Sequence, residues 1–106
     1  MSREAAKPPR EEALREPDER SEILASMVLD AALEVHRNLG PAGEGRADLV
    51  VGERVVVELE ALPALGPVHL AQVISYLKAT GLALGLLVNF GERHLRTGCR
   101  RVVLTR

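Results

Sequence analysis

Three acids could do chemistry in this sequence: Asp48 in "RADLVV" (46–51), and Glu58 and Glu60 in "VVVELE" (55–60). Both stretches read as strands, and strand side chains alternate between faces. Val55, Val57 and Leu59 therefore share one side, and Val56, Glu58 and Glu60 the other. Two carboxylates on one face are either the solvated side of a sheet or part of a site that needs them together. Whether Asp48 joins them depends on the turn between the strands. With Gly52-Glu53 as a two-residue turn, Val51 faces Arg54 and Asp48 projects away from Glu58. With Gly52-Glu53-Arg54 as a three-residue turn, Val51 faces Val55 and Asp48 faces Glu58 directly. In that register three carboxylates converge, and they repel unless protons or a divalent cation neutralise them. Hard oxygen ligands of this kind suit magnesium or manganese.

The elements that must position these acids follow from spacing. Residues 1–20 mix charges of both signs with three prolines and few apolar residues, and read as a disordered leader. From 21 to 106 the pattern is that of a single domain. Leu24, Met27, Val28, Ala31, Val35 and Leu39 recur at helical spacing and predict one buried stripe, with Ser21 as N-cap and Gly40-Pro41 as the stop. The hairpin follows. "PALGP" (63–67) breaks the chain before a second helix over His69–Thr80, closed by Gly81, with Leu70, Val73, Ile74 and Leu77 as its buried stripe. His69, Gln72 and Tyr76 fall on an adjoining polar stripe, either solvated or facing a substrate. "LALGLLVNF" (82–90) suits a strand covered on both faces, and "RRVVL" a short final strand. The order α-β-β-α-β-β predicts an α/β fold with a mixed sheet, in which the crossover helix sets strands 55–60 and 82–89 parallel.

Composition narrows the function classes. A chain of 106 residues with 46% hydrophobic but only 2% aromatic residues builds a modest core from Leu, Val, Ile and Ala. With Tyr76 and Phe90 as its aromatics, it offers no base-stacking platform. A formal net charge of −1 does not indicate nucleic acid as a partner, so phosphate attraction has to be local. The local candidate is "ERHLRTGCRR" (92–101), which gathers Arg93, Arg96, Arg100 and Arg101 against Glu92 alone; such a patch binds phosphates or keeps an edge strand soluble. Cys99 is the single cysteine, which excludes an internal disulfide and a cysteine zinc cluster. His36 reads as a helix-end residue. No apolar run approaches the roughly 20 residues of a membrane span, and a cytoplasmic location is expected.

"ALEVHRNLGP" (32–41), "GEGRADLVV" (43–51), "VVVELEAL" (55–62), "PVHLAQVISYLKATGLALGLLVNFG" (67–91) and "RRVVL" (100–104) together resemble the GxxExxY proteins, a group within the PD-(D/E)XK nuclease superfamily. The resemblance spans 22–104, and its most specific part is the HxxQxxxYLKxTG pattern from His69 to Gly81. It implies a curtailed restriction-endonuclease-like core. It also implies catalytic positions at Asp48, Glu58, Glu60, Gln72 and Tyr76, the first three holding a magnesium or manganese ion. Such an ion acidifies a bound water for attack on phosphorus, while a lysine stabilises developing negative charge.

Two departures bear on activity. Members of the group continue after the LGP stretch with the name-giving segment, a further helix and another strand. Here Gly40-Pro41 runs into Gly43-Glu44-Gly45-Arg46 almost at once. Glu60 also stands where the pattern has lysine, which reverses the charge beside the transition state. The lysines are Lys7 and Lys78, and Lys78 lies about 120–160° around its helix from the Gln72/Tyr76 stripe. The expectation is a degenerate, inactive nuclease-family protein that keeps its scaffold for self-association or for a partner; a magnesium- or manganese-dependent nuclease is the alternative. The missing elements should leave apolar surface uncovered, giving a homodimer or a marginally stable monomer.

Overall fold

The computed structural model describes residues 17–41 and 45–104. The expected leader falls outside this range over residues 1–16. The first helix, α1 (Glu19–Leu39), starts two residues before the expected N-cap. Asp18 caps it instead, its Oδ1 accepting the Ser21 N–H at 2.8 Å while its Oδ2 pairs with Arg54 at 2.7 Å. Ser21 thus supplies the donor rather than the cap. Glu19 and Glu22 in the first turn and His36 and Arg37 in the last complement the helix dipole. The helix stops at Gly40, whose N–H bonds to the His36 carbonyl at 2.7 Å.

The hairpin strands are β1 (Arg46–Val51) and β2 (Val55–Glu60). The crossover helix α2 spans Pro67–Thr80, and β3 (Leu84–Asn89) and β4 (Cys99–Val103) complete the order. A short 3-10 turn, Leu95–Gly98, precedes β4. The sheet runs β1-β2-β3-β4, with β2 and β3 parallel and the outer pairs antiparallel. This is the mixed α/β arrangement expected from the sequence. All six residues of β3 are buried, as befits a central strand covered on both sides.

The two helices cover opposite faces. Under α1 lie Val55, Val57, Leu84, Leu86 and Val88; under α2 lie Val56, Leu87 and Val102, packed by Val73 and Leu77. A Cβ on Gly85 would meet Val73 Cγ1 at 2.6 Å, so the missing side chain lets α2 approach the sheet. Leu70, expected in the buried stripe of α2, is exposed.

The docked face of α1 also differs from the expected stripe. Ser21, Ala25 and Ala32 are buried, with Leu24, Val28, Leu29 and Leu33 packed beside them. Met27 is 61% and Leu39 79% exposed, and Ile23 and Val35 are exposed with them. The apolar arc is wider than the arc that touches the sheet, and small side chains were selected for contact because they permit the closest approach. Ile23, Met27, Ala31, Val35 and Leu39 therefore form an i, i+4 ridge that nothing among the described residues covers. Beside it, Val35, Leu39, Ala47, Leu59 and Phe90 line an apolar groove of about 370 Å³.

Candidate functional site

The hairpin turn settles the parity. Arg54 N–H bonds to the Val51 carbonyl at 3.0 Å, and the two central residues, Gly52 and Glu53, have φ of 59° and 58°. Three residues thus separate the strands, Val51 faces Val55, and Asp48 faces Glu58. Arg46 faces Glu60 in the same ladder. Since alternate residues share a face, Arg46, Asp48, Glu58 and Glu60 all lie on the side covered by α2.

That side is not solvated at β2. Glu58 is 0% and Glu60 5% exposed. Both Glu58 carboxylate oxygens, Glu60 Oε2 and Gln72 Oε1 are buried without a hydrogen-bond partner among the described residues. Orphaned buried acceptors are costly, and these four are all oxygens that need a proton or a cation. The Glu58 pKa is pushed from 4.5 up to about 7, first by burial, then by hydrogen bonding to Glu60 and by the charges of Asp48 and Glu60, with Arg46 opposing.

Asp48 is oriented differently. Its Oδ2 accepts from Tyr76 Oη at 2.9 Å and from Arg46 Nη2 at 3.3 Å. The Tyr76 hydroxyl is held above its ordinary pKa, chiefly by that hydrogen bond to Asp48. Arg46 is held above its ordinary pKa by the Asp48 charge first, and its Nε lies 3.8 Å from Glu60 Oε2. Arg46, Gln72 and Tyr76 line a shallow cleft of about 450 Å³ along α2.

The fold thus brings Asp48, Glu58, Glu60, Gln72 and Tyr76 to one side of the sheet. Among the described residues no three acids, histidines or cysteines are arranged around a metal position, and the Asp48 carboxylate is held by Tyr76 and Arg46. The chemistry of the orphaned donors nevertheless fits a hard divalent cation.

His69 faces no substrate cleft; its Nδ1 accepts the Gly66 N–H at 2.9 Å and caps the start of α2. Lys78 is exposed. The basic segment is divided. Arg100 bonds to the Thr97 and Cys99 carbonyls, and Arg101 pairs with Glu22 of α1. Arg93 and Arg96 lie in the β3–β4 connection. Cys99 is half-buried, and burial raises its thiol pKa.

Two residues escaped the sequence reading. Parity puts Arg46 on the face of Asp48, two positions on, and the register places it opposite Glu60. Asn89 carried no such signal. It is fully buried beside Glu60, and its amide clamps the chain beyond β2 through Leu62 N–H to Oδ1 and Nδ2 to Leu62 O, both 2.9 Å.

A family model for the PD-(D/E)XK nuclease superfamily matches residues 41–102. The chain belongs to that superfamily, and its fold is a curtailed form of the restriction-endonuclease-like core. Comparison with curated proteins found no match, and comparison with solved structures found none. Among the described residues no helix is long and apolar enough to cross a membrane.

Proposed function

We propose that this protein is a nuclease-superfamily scaffold that has lost turnover and whose retained use is self-association. The observation that carries the loss of turnover is Glu60, buried and engaged by Arg46 where the superfamily pattern has lysine. A glutamate there removes an electrostatic stabiliser, a change that typically costs about a hundredfold or more in rate. Arg46 cannot restore a proton-managing group, because guanidinium stays protonated, and its charge is already spent on Asp48 and Glu60.

Self-association is supported by features of the described residues: the uncovered ridge of α1, the apolar groove beside it and the unpaired edge of β1, whose Leu49 and Val50 are exposed on opposite faces. Kinship with the GxxExxY group, supported by the His69–Gly81 pattern, and a cytoplasmic setting belong to the same reading.

A metal-dependent nuclease is the second reading, favoured by the four orphaned oxygens. Asp48, Glu58, Glu60 and Gln72 would hold magnesium or manganese, which when bound supplies a Lewis acid and an acidified water for phosphodiester hydrolysis. A cleavage assay on single- and double-stranded DNA and RNA with either ion, beside Glu58→Ala, separates the two readings. No cleavage by either protein is the expected result, and cleavage abolished by the substitution would establish the second reading instead.

A further inference from the structure

On the α1 side of the molecule, away from the carboxylates, the end of α1 and the β3–β4 connection enclose a cleft of about 320 Å³. Its rim carries His36, Arg37, Arg93, His94 and Arg96, and Leu33 and Leu95 form its apolar floor. Three guanidinium groups and two imidazoles thus gather from segments more than fifty residues apart in the chain, within a protein of net charge −1.

The acid of the same segment, Glu92, is engaged by the loop. Its Oε2 accepts from Asn89 Nδ2 at 3.0 Å, while the Thr97 hydroxyl, 3.2 Å from Oε1, has the His94 carbonyl closer at 2.8 Å. Among the described residues Arg93 and Arg96 make no ion pair, and Arg37 has only Glu34 at 3.8 Å, an exposed contact worth little. His36 ties the two walls together. Its Nε2 lies 2.7 Å from the Glu92 carbonyl, which can only accept, so Nε2 carries the proton and Nδ1 is the ring nitrogen left over.

We propose that this cleft is a binding site for phosphate groups. Arg93 and Arg96 hold positive charge in a concave site where, among the described residues, neither Glu34 nor Glu92 pairs with them, and guanidinium forks match phosphate oxygens two at a time. The volume is at the small end of ligand pockets, which run from about 300 Å³ upward, and suits one phosphate-bearing group. Nothing in this site depends on whether the carboxylate face is active.

The test is an NMR titration of the full-length protein at low salt, following the imidazole signals of His36 and His94 and the amides of residues 92–98. The probes are inorganic phosphate, pyrophosphate and a short single-stranded oligonucleotide. Saturable shifts are expected at both histidines. The R93Q/R96Q variant should weaken binding by about tenfold or more while leaving the melting temperature and the Asn89–Glu92 loop signals unchanged.

Saturation by phosphate and pyrophosphate alone would assign a free phosphate ligand. Saturation by the oligonucleotide, with affinity falling steeply as salt rises, would assign a nucleic-acid backbone. Shifts that never saturate, or equal binding by the folded double variant, would overturn the proposal.

Discussion

Beneath α2 the sheet buries Glu58 and Glu60, and Glu58 has no partner for either oxygen. On the α1 side, α1 leaves Met27 and Leu39 well exposed while packing its alanines inward. The first region spends stability to hold charge in a confined place, as sites do. The second leaves apolar surface that nothing in the described chain covers, as interfaces do. The same four strands support both departures because each face of a sheet is sorted independently.

Four experiments break or sharpen this contrast. The largest effect is expected at the α2 contact: Leu77→Ala, at a fully buried position, should cost about 2–5 kcal/mol in a urea titration. Met27→Ser, on the uncovered ridge, should change monomer stability by less than about 0.5 kcal/mol. Equal losses would show that the ridge is already covered.

Next is the pH dependence of Glu58. Its folded-state pKa, about 7, lies above its ordinary 4.5. Between those values the native state holds a proton that the unfolded chain has released. The contribution of this group to stability is thus fully present below pH 4.5, falls as pH rises through the window, and is lower by roughly 3 kcal/mol above pH 7. Urea midpoints should therefore drop between pH 5 and pH 8, and Glu58→Gln should flatten that slope and stabilise the protein at pH 8. The same slope in the variant would place the titrating group elsewhere.

The interface reading comes third. Replacing both Met27 and Leu39 by Glu should shift sedimentation toward monomer and weaken association by about ten- to a hundredfold, or about 1.4–2.8 kcal/mol. A wild-type protein that sediments as a monomer, with a melting temperature independent of concentration, would refute self-association. The smallest effect is the helix cap: Asp18→Ala should cost about 1 kcal/mol through the lost Ser21 bond, seen as a fall of a few degrees in melting temperature. No change would mean that another group takes over the cap.

The elements were legible because local rules govern them. Strand alternation put Glu58 and Glu60 on one side, Gly40-Pro41 and Gly81 marked the helix ends, and the apolar run at 82–90 predicted the buried central strand. The stripe of α1 was misread because periodicity reveals which positions are apolar and not which neighbour they meet. When the apolar arc exceeds the docked arc, only packing distance chooses between Ala25 and Met27. The cap was misplaced because Asp18 and Ser21 can both cap, and the contact of Asp18 with Arg54, distant in sequence, favoured the former.

By itself, the sequence determined the order of elements and the face shared by Glu58 and Glu60, since both depend on backbone periodicity that each residue obeys locally. Only the tertiary structure decided that the hairpin takes the register bringing Asp48 and Arg46 onto that face. It also decided that Tyr76 bonds to Asp48, that Glu92 bonds to Asn89, and that Met27 and Leu39 of α1 stay exposed among the described residues. The Asp48 contact and the bare part of α1 depend on groups far apart in the chain, where distance and burial, rather than residue type, select the partner.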